Sequence, residues 1–230
     1  NYMSFPEIKY CPGTLKEGYT TYSSLCLRNV FQGRKVSPIL PYESPASNID
    51  AALFTESKKR MSISGVQEKF SILLNKNQLR LIQKNEQGHY ILKPIPNVGK
   101  NTDQMPANEH LTMQIAAQVF NIETAENALI FFKNGDPAYI TKRFDRNENG
   151  EKLAQEDFAS LAQRTPQTHG ENYKYLGNYS ELFSLLKKFV PAYKIEAVKL
   201  FKRILFNYII SNGDAHYKNF SLVETSQGDF

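Results

Sequence analysis

Asp214 stands five residues ahead of Asn219 in the run Ser211-Asn212-Gly213-Asp214-Ala215-His216-Tyr217-Lys218-Asn219-Phe220. An acid and an amide at that spacing suit phosphoryl transfer. The carboxylate accepts the proton of an attacking hydroxyl, and the amide oxygen holds a magnesium ion on the phosphates. Both side chains must reach one phosphoryl group, one from the nucleophile's side and one through the metal. Asn-Gly-Asp is also ordinary turn chemistry, so the run by itself leaves both readings open. Upstream, Lys93 ends an apolar stretch and Glu109 follows sixteen residues later. A strand lysine oriented by a helix carboxylate is the second requirement of such a site, because the lysine must point at nucleotide phosphates. The plainer reading is a lysine snorkelling from a strand end and an acid complementing a helix dipole.

Other candidates carry weaker signals. Ser62-Ile63-Ser64-Gly65 suits a phosphate-contacting loop before a strand, or a plain turn. It has one glycine and not Gly-x-Gly-x-x-Gly, and no Gly-x-x-x-x-Gly-Lys-Ser/Thr occurs anywhere. His216 lies inside the Asp214–Asn219 loop, where it can act in catalysis or hold the loop by a hydrogen bond. Asp145 follows an apolar stretch at a proposed hinge, where a carboxylate can take ribose hydroxyls or terminate a strand.

The elements that must position these residues follow from periodicity. Phe70, Ile72 and Leu74 alternate as a strand, Leu79–Ile82 makes a second and His89–Pro94 a third, an expected antiparallel meander. Ala107–Phe120 has helical spacing, with Leu111, Ile115 and Val119 on one face. Two more strands, 128–132 and 138–144, flank Asn134-Gly135-Asp136-Pro137. Beyond Arg146 the period becomes helical: 156–163, with Gln155-Glu156-Asp157 at its start, then 181–190 and 195–211. In the last of these, Ile195, Val198, Phe201, Leu205 and Tyr208 form a stripe. The plan is α+β with two lobes: a loop-rich N-terminal appendage (1–50), a strand-rich nucleotide-binding lobe (51–146) and a helical catalytic lobe (147–230).

With 41% hydrophobic and 22% charged residues, the chain reads as globular and not disordered. No apolar run reaches the roughly 20 residues a bilayer needs. Cys11 and Cys26 have no Cys-x-x-Cys spacing and no neighbouring histidine, which argues against zinc and against a disulfide framework and fits a reducing cytoplasm. A net charge of +5 allows nucleotide phosphates or an acidic partner, but no nucleic-acid-binding signature is present.

Six stretches in register, 62–69, 90–94, 108–110, 142–146, 155–157 and 212–222, resemble the HipA family of bacterial toxin kinases. The resemblance covers roughly residues 58–230. The short lead before Ser62 is similar to the compact HipT branch, whose missing N-terminal subdomain is supplied by a separate small protein, HipS. The resemblance implies a two-lobed kinase-like fold and transfer of the ATP γ-phosphate to serine or threonine of an aminoacyl-tRNA synthetase, tryptophanyl for HipT and glutamyl for long HipA proteins. It implies Lys93 on the ATP phosphates with Glu109 as its partner, backbone around Lys142 and Phe144 on adenine, and Asp145 on ribose. Gln155 would lie near the nucleotide, Asp214 would be the base, Asn219 a magnesium (Mg2+) ligand, and Ser62 and Ser64 autophosphorylation sites. The implied partner is a DNA-binding antitoxin, HipB, so that DNA is reached only indirectly; no membrane is involved.

The family continues past the asparagine to a second metal-binding aspartate in a Tyr-Asp-Leu context. This chain has no residue matching it after Asn219, and Asp229-Phe230 falls where the family has hairpin residues. The expectation is therefore an incomplete catalytic lobe, inactive or nearly so alone. The alternative is a catalytically inactive regulatory remnant that binds partners.

Overall fold

The structure is a computed structural model that describes residues 7–59, 67–147, 150–225, 228 and 230. It divides into two compact units, 1–144 and 145–230. Ser62 and Ser64 lie outside the described residues, as does Asp229.

The first unit is built on a five-stranded antiparallel sheet: β1 (Phe70–Asn75), β2 (Gln78–Leu81), β3 (Tyr90–Pro94), β4 (Asn127–Phe131) and β5 (Pro137–Lys142). The strand order is β2-β1-β3-β5-β4. Ile72 of β1 faces Leu81 of β2 on one side and Tyr90 of β3 on the other. The expected meander is thus wrong in order, because β1 and not β2 is the middle strand of the first three. Residues 82–89 supply the crossing, with the His89 N–H donating to the Ile72 carbonyl at 2.9 Å. Gly88 permits it, since a Cβ there would stand 2.1 Å from Ser71 Oγ and 2.8 Å from the Ile72 carbonyl oxygen.

Strand alternation sends Phe70, Ile72, Tyr90, Leu92, Ala128, Ile130, Ala138 and Ile140 into one core. The residues expected as an appendage join that core. Cys11, Tyr22, Val36 and Leu40 pack there with Cys26, Val30 and Phe31 of α1 (Ser24–Phe31), and Phe54 of α2 (Ala51–Lys59) completes it. The Tyr22 hydroxyl donates to Leu129 O and the Tyr90 hydroxyl to Val30 O, each at 2.7 Å, so segment and sheet are tied by buried hydrogen bonds. Both cysteines are free and buried.

Helix α3 (Met105–Gln118) packs on β4 and β5. Its buried residues are Pro106, His110 and Ala116, while Leu111 and Val119 are exposed, so the expected apolar stripe is not the packed face. His110 takes the inward position because Asn127 meets its Nδ1 at 2.8 Å; burial pushes its pKa down.

The second unit holds a short antiparallel ladder of β6 (Gln155–Asp157) and β7 (Ser221–Val223), then α4 (Phe158–Leu161), α5 (Pro166–His169), α6 (Tyr179–Phe189) and α7 (Tyr193–Ile209). Gln155–Asp157 is therefore a strand, not the first turn of a helix. The helix begins at Phe158, and Asp157 caps it by accepting from the Ser160 N–H at 2.9 Å. Leu182, Leu186 and Val190 form one inward stripe at i, i+4, i+8, packed with Phe158, Ala159, Leu200, Tyr217 and Leu222. On α7, Ala197, Leu200 and Ile204 pack against this core, and Phe206 is also buried. The stripe Ile195, Val198, Phe201, Leu205 and Tyr208 faces outward, so this helix is apolar on two sides.

Candidate active site

Lys93 sits near the end of β3, paired across the sheet with Tyr139 of β5. Leu92 points into the core, so alternation turns Lys93 to the opposite face, where α3 lies. There its Nζ meets Glu109 Oε1 at 2.6 Å, with both side chains about a quarter to a third exposed. The lysine is also 5.5 Å above the ring of buried Tyr139. The strand end and the second turn of α3 thus hold one ammonium in one place while leaving part of it open to an anion.

Lys69, just before β1, was not singled out by sequence reasoning. Burial pushes its pKa down, and the charge of Lys93 lowers it further. The signal in the sequence was the basic residue closing the 62–69 motif. Lys142 ends β5 and Phe144 is exposed at the end of the first unit. The Lys142 N–H is used, donating to the Glu126 carbonyl at 2.8 Å.

In the second unit the loop after α7 is built by backbone and amide bonds. Ser211 adopts a left-handed conformation (φ 56°), and the Asn212 N–H returns to Asn207 O at 2.8 Å, closing the helix. Asn212 Oδ1 then accepts the Asp214 N–H at 3.1 Å. Asn219 Nδ2 donates to the Asp214 carbonyl at 2.6 Å and to its Oδ2 at 3.0 Å. His216 Nε2 lies 3.4 Å from Asp214 Oδ1, with the imidazole almost wholly buried. Asp214 itself remains 73% exposed at the side chain, so its carboxylate is oriented yet open. The structure brings Asp214, His216 and Asn219 together.

The loop is anchored behind by Tyr217. Its hydroxyl lies 2.7 Å from Asn178 O and 2.8 Å from Glu181 Oε2, and it accepts the Asn178 N–H at 3.0 Å. Arg164 binds both Glu181 oxygens, at 2.8 and 2.9 Å. Burial opposes ionisation of Glu181, but the bonds from Tyr217 and Arg164 outweigh it and hold its carboxyl below the usual range. Gln155, on β6, donates to Ser221 Oγ at 2.8 Å just beyond the loop. Asp145 opens the second unit, its carbonyl accepting the Leu153 N–H at 3.0 Å.

A family model described as the HipA-like C-terminal domain matches residues 61–230. The chain belongs to that HipA-like family. It is 25% identical over 228 residues to a putative kinase of Haemophilus influenzae, covering 96% of this chain and 64% of that protein. It is 29% identical over 177 residues to the putative kinase Y4mE of Sinorhizobium fredii, covering 74% of this chain and 40% of the relative. Among solved structures, HipA of Shewanella oneidensis, determined with HipB and operator DNA, aligns with TM-score 0.55 at 25% identity, over 74% of this chain and 42% of that one. CtkA, a proinflammatory kinase of Helicobacter pylori, aligns with TM-score 0.51 at 18% identity over 74% of this chain and 53% of CtkA, a likeness of fold alone. The HipA-like fold is α+β and kinase-like, as expected. The chain spans less than two thirds of the length of these relatives.

Proposed function

We propose that this HipA-like chain is the kinase part of a HipT-like toxin, a serine/threonine protein kinase. It would move the ATP γ-phosphate to an aminoacyl-tRNA synthetase, with the tryptophanyl enzyme favoured over the glutamyl one. The observation that carries the reading is the 2.6 Å Lys93–Glu109 contact, because an ammonium fixed at a strand end by a helix acid is what phosphate positioning requires. Lys93, aided by Lys69, binds the phosphates of ATP. Lys142 and Phe144 border the adenine, Asp145 the ribose, and Gln155 the nucleotide.

Asp214 accepts the proton as the substrate hydroxyl oxygen bonds to the γ-phosphorus and the bond to ADP breaks. Asn219 and His216 orient its two oxygens. With its Nδ2 committed to Asp214, Asn219 has its Oδ1 left as a hard oxygen ligand that suits magnesium. Among the described residues no group of three or more His, Cys, Asp or Glu side chains is placed to hold a metal, which fits an ion that arrives with the nucleotide phosphates. Magnesium, when bound, supplies charge neutralisation on the phosphates.

The HipB complex of the Shewanella relative supports a HipB-like antitoxin as partner, and the HipT likeness a HipS-like small protein. Ser62 and Ser64 are proposed as sites of self-phosphorylation. Incubation with labelled ATP, magnesium and tryptophanyl-tRNA synthetase tests the reading. Label on synthetase serine or threonine, and on Ser62 or Ser64 by phosphopeptide mapping, is expected. Nucleotide binding without any transfer by a protein of the relatives' full length would instead establish the inactive remnant.

A further inference from the structure

Cys11 and Cys26 are the only cysteines of the chain, and phosphoryl transfer uses neither. Both are buried, and both bond to the same serine. The Ser23 N–H donates to Cys11 Sγ at 3.1 Å, and Ser23 Oγ lies 3.3 Å from that sulfur. The same Oγ caps α1 by accepting the Cys26 N–H at 3.2 Å. The Thr14 N–H also reaches Cys11 Sγ, at 3.4 Å. Gly13 lets Cys26 approach this turn, because a Cβ at 13 would stand 2.1 Å from Cys26 Sγ and 3.0 Å from its Cβ. The turn is pinned to two further elements of the first unit. Gln118 Nε2 of α3 donates to Thr14 O at 3.1 Å, and the Leu129 N–H of β4 donates to Pro12 O at 2.8 Å.

A cysteine buried in apolar surroundings is inert, whereas donors gathered around its sulfur make it a nucleophile. The bond from the Cys26 thiol is the largest influence on Cys11. With Ser23 and Thr14 it outweighs burial and holds the Cys11 thiol down to about 3. The Cys26 thiol is pushed up by the same bond and by burial. The pair thus divides into a thiolate and a protonated neighbour, as thiol–disulfide chemistry requires. Thr14 and Leu15 beside it are half-buried, which favours a small oxidant over a bulky one. We propose that Cys11 and Cys26 are a peroxide-sensitive modification site, a dithiol that converts to a disulfide within the chain. The Cys11 thiolate attacks one oxygen of hydrogen peroxide, the O–O bond breaks, and the departing hydroxide takes up a proton to become water. The Cys26 sulfur then attacks the sulfenic sulfur of Cys11. The S–S bond forms, the S–O bond breaks, and the hydroxyl leaves as water with the Cys26 proton. Two thiols and one peroxide give one disulfide and two waters. A thiol reductant returns the dithiol by exchange.

The reduced full chain is exposed to hydrogen peroxide and quenched with iodoacetamide under denaturing conditions, and its intact mass is measured. Both thiols should be lost together, with a mass lower by two hydrogens and a peptide carrying Cys11 linked to one carrying Cys26. Dithiothreitol should reverse the change. In Cys26→Ser, dimedone should trap a sulfenic acid at Cys11, since no second thiol resolves it. In Cys11→Ser, oxidation of Cys26 should run roughly tenfold or more slower than thiol loss in wild type, because that sulfur lacks the donors that hold a thiolate. Unfolding the two variants in urea before adding peroxide should abolish the difference between them. Wild-type thiols that stay alkylatable at peroxide doses that oxidise free cysteine overturn the proposal, whatever the variants do. So does a bridge formed only between two chains, or a Cys11→Ser variant whose Cys26 reacts at the wild-type rate.

Discussion

Asp214 is approached on both oxygens, by Asn219 Nδ2 at 3.0 Å and His216 Nε2 at 3.4 Å, and still faces solvent. An acid in that state is available to a hydroxyl but not free to rotate away from it. Asp214→Asn keeps the size and removes proton acceptance. Transfer to protein is expected to fall on the order of 100-fold or more, with ATP affinity changing far less, as read by single-turnover kinetics beside nucleotide titration. At the other cluster, Glu109→Gln removes the charge that holds Lys93. ATP should bind several-fold more weakly, since the ammonium loses its fixed position, and calorimetric titration of nucleotide measures the loss. Unchanged ATP affinity in Glu109→Gln would remove the positioning role of that acid.

At the level of elements, the loop that carries Asp214 depends on a network behind it. Tyr217 joins the loop to the start of α6 through Asn178, and to Arg164 through Glu181. Tyr217→Phe removes the hydroxyl from a buried site and leaves the Asn178 groups without it. A loss of about 1–3 kcal/mol is expected in urea unfolding of the second unit. The first unit offers a pH test at β2. The Arg80 guanidinium, bound at 2.6 and 2.7 Å, holds the Glu86 carboxyl down to about 2. A depressed carboxyl stabilises fully above its unfolded value of 4.5, and the contribution is lost as pH falls through about 2. The urea midpoint of wild type should exceed that of Glu86→Gln at neutral pH, and the gap should close steadily below 4.5. A gap independent of pH would mean that the ion pair contributes nothing.

Across the whole molecule, each unit has its own core, and α7 carries a second apolar face outside the core of its unit. Phe201 is 56% exposed and Leu205 47%, with Ile195, Val198 and Tyr208 on the same stripe. Contiguous exposed apolar surface of this kind drives association. The 230-residue chain should self-associate with rising concentration in sedimentation velocity. Phe201→Glu with Leu205→Lys should shift it towards the monomer without loss of helix by circular dichroism. Among the described residues no helix is long and apolar enough to cross a membrane.

What the sequence by itself determined was local. Alternation at Phe70 and Ile72 marked β1, Pro and Gly between 134 and 137 marked the β4–β5 turn, and the spacings Lys93–Glu109 and Asp214–Asn219 marked the two clusters, because those signals depend on residues near one another in the chain. Only the tertiary structure decided the rest. It set β1 between β2 and β3, since pairing partners are chosen by where residues 82–89 can cross and not by chain order. It made residues 11–40 part of the first core, because their scattered apolar side chains have no period yet fill the sheet's covered face. It made Gln155–Asp157 a strand, because its partner β7 lies more than sixty residues away in sequence, at 221–223. It turned His110 inward and Leu111 outward, since the buried acceptor Asn127 lies on a different element. Helical periodicity could show that α7 is apolar, but not which of its two faces the second unit would bury.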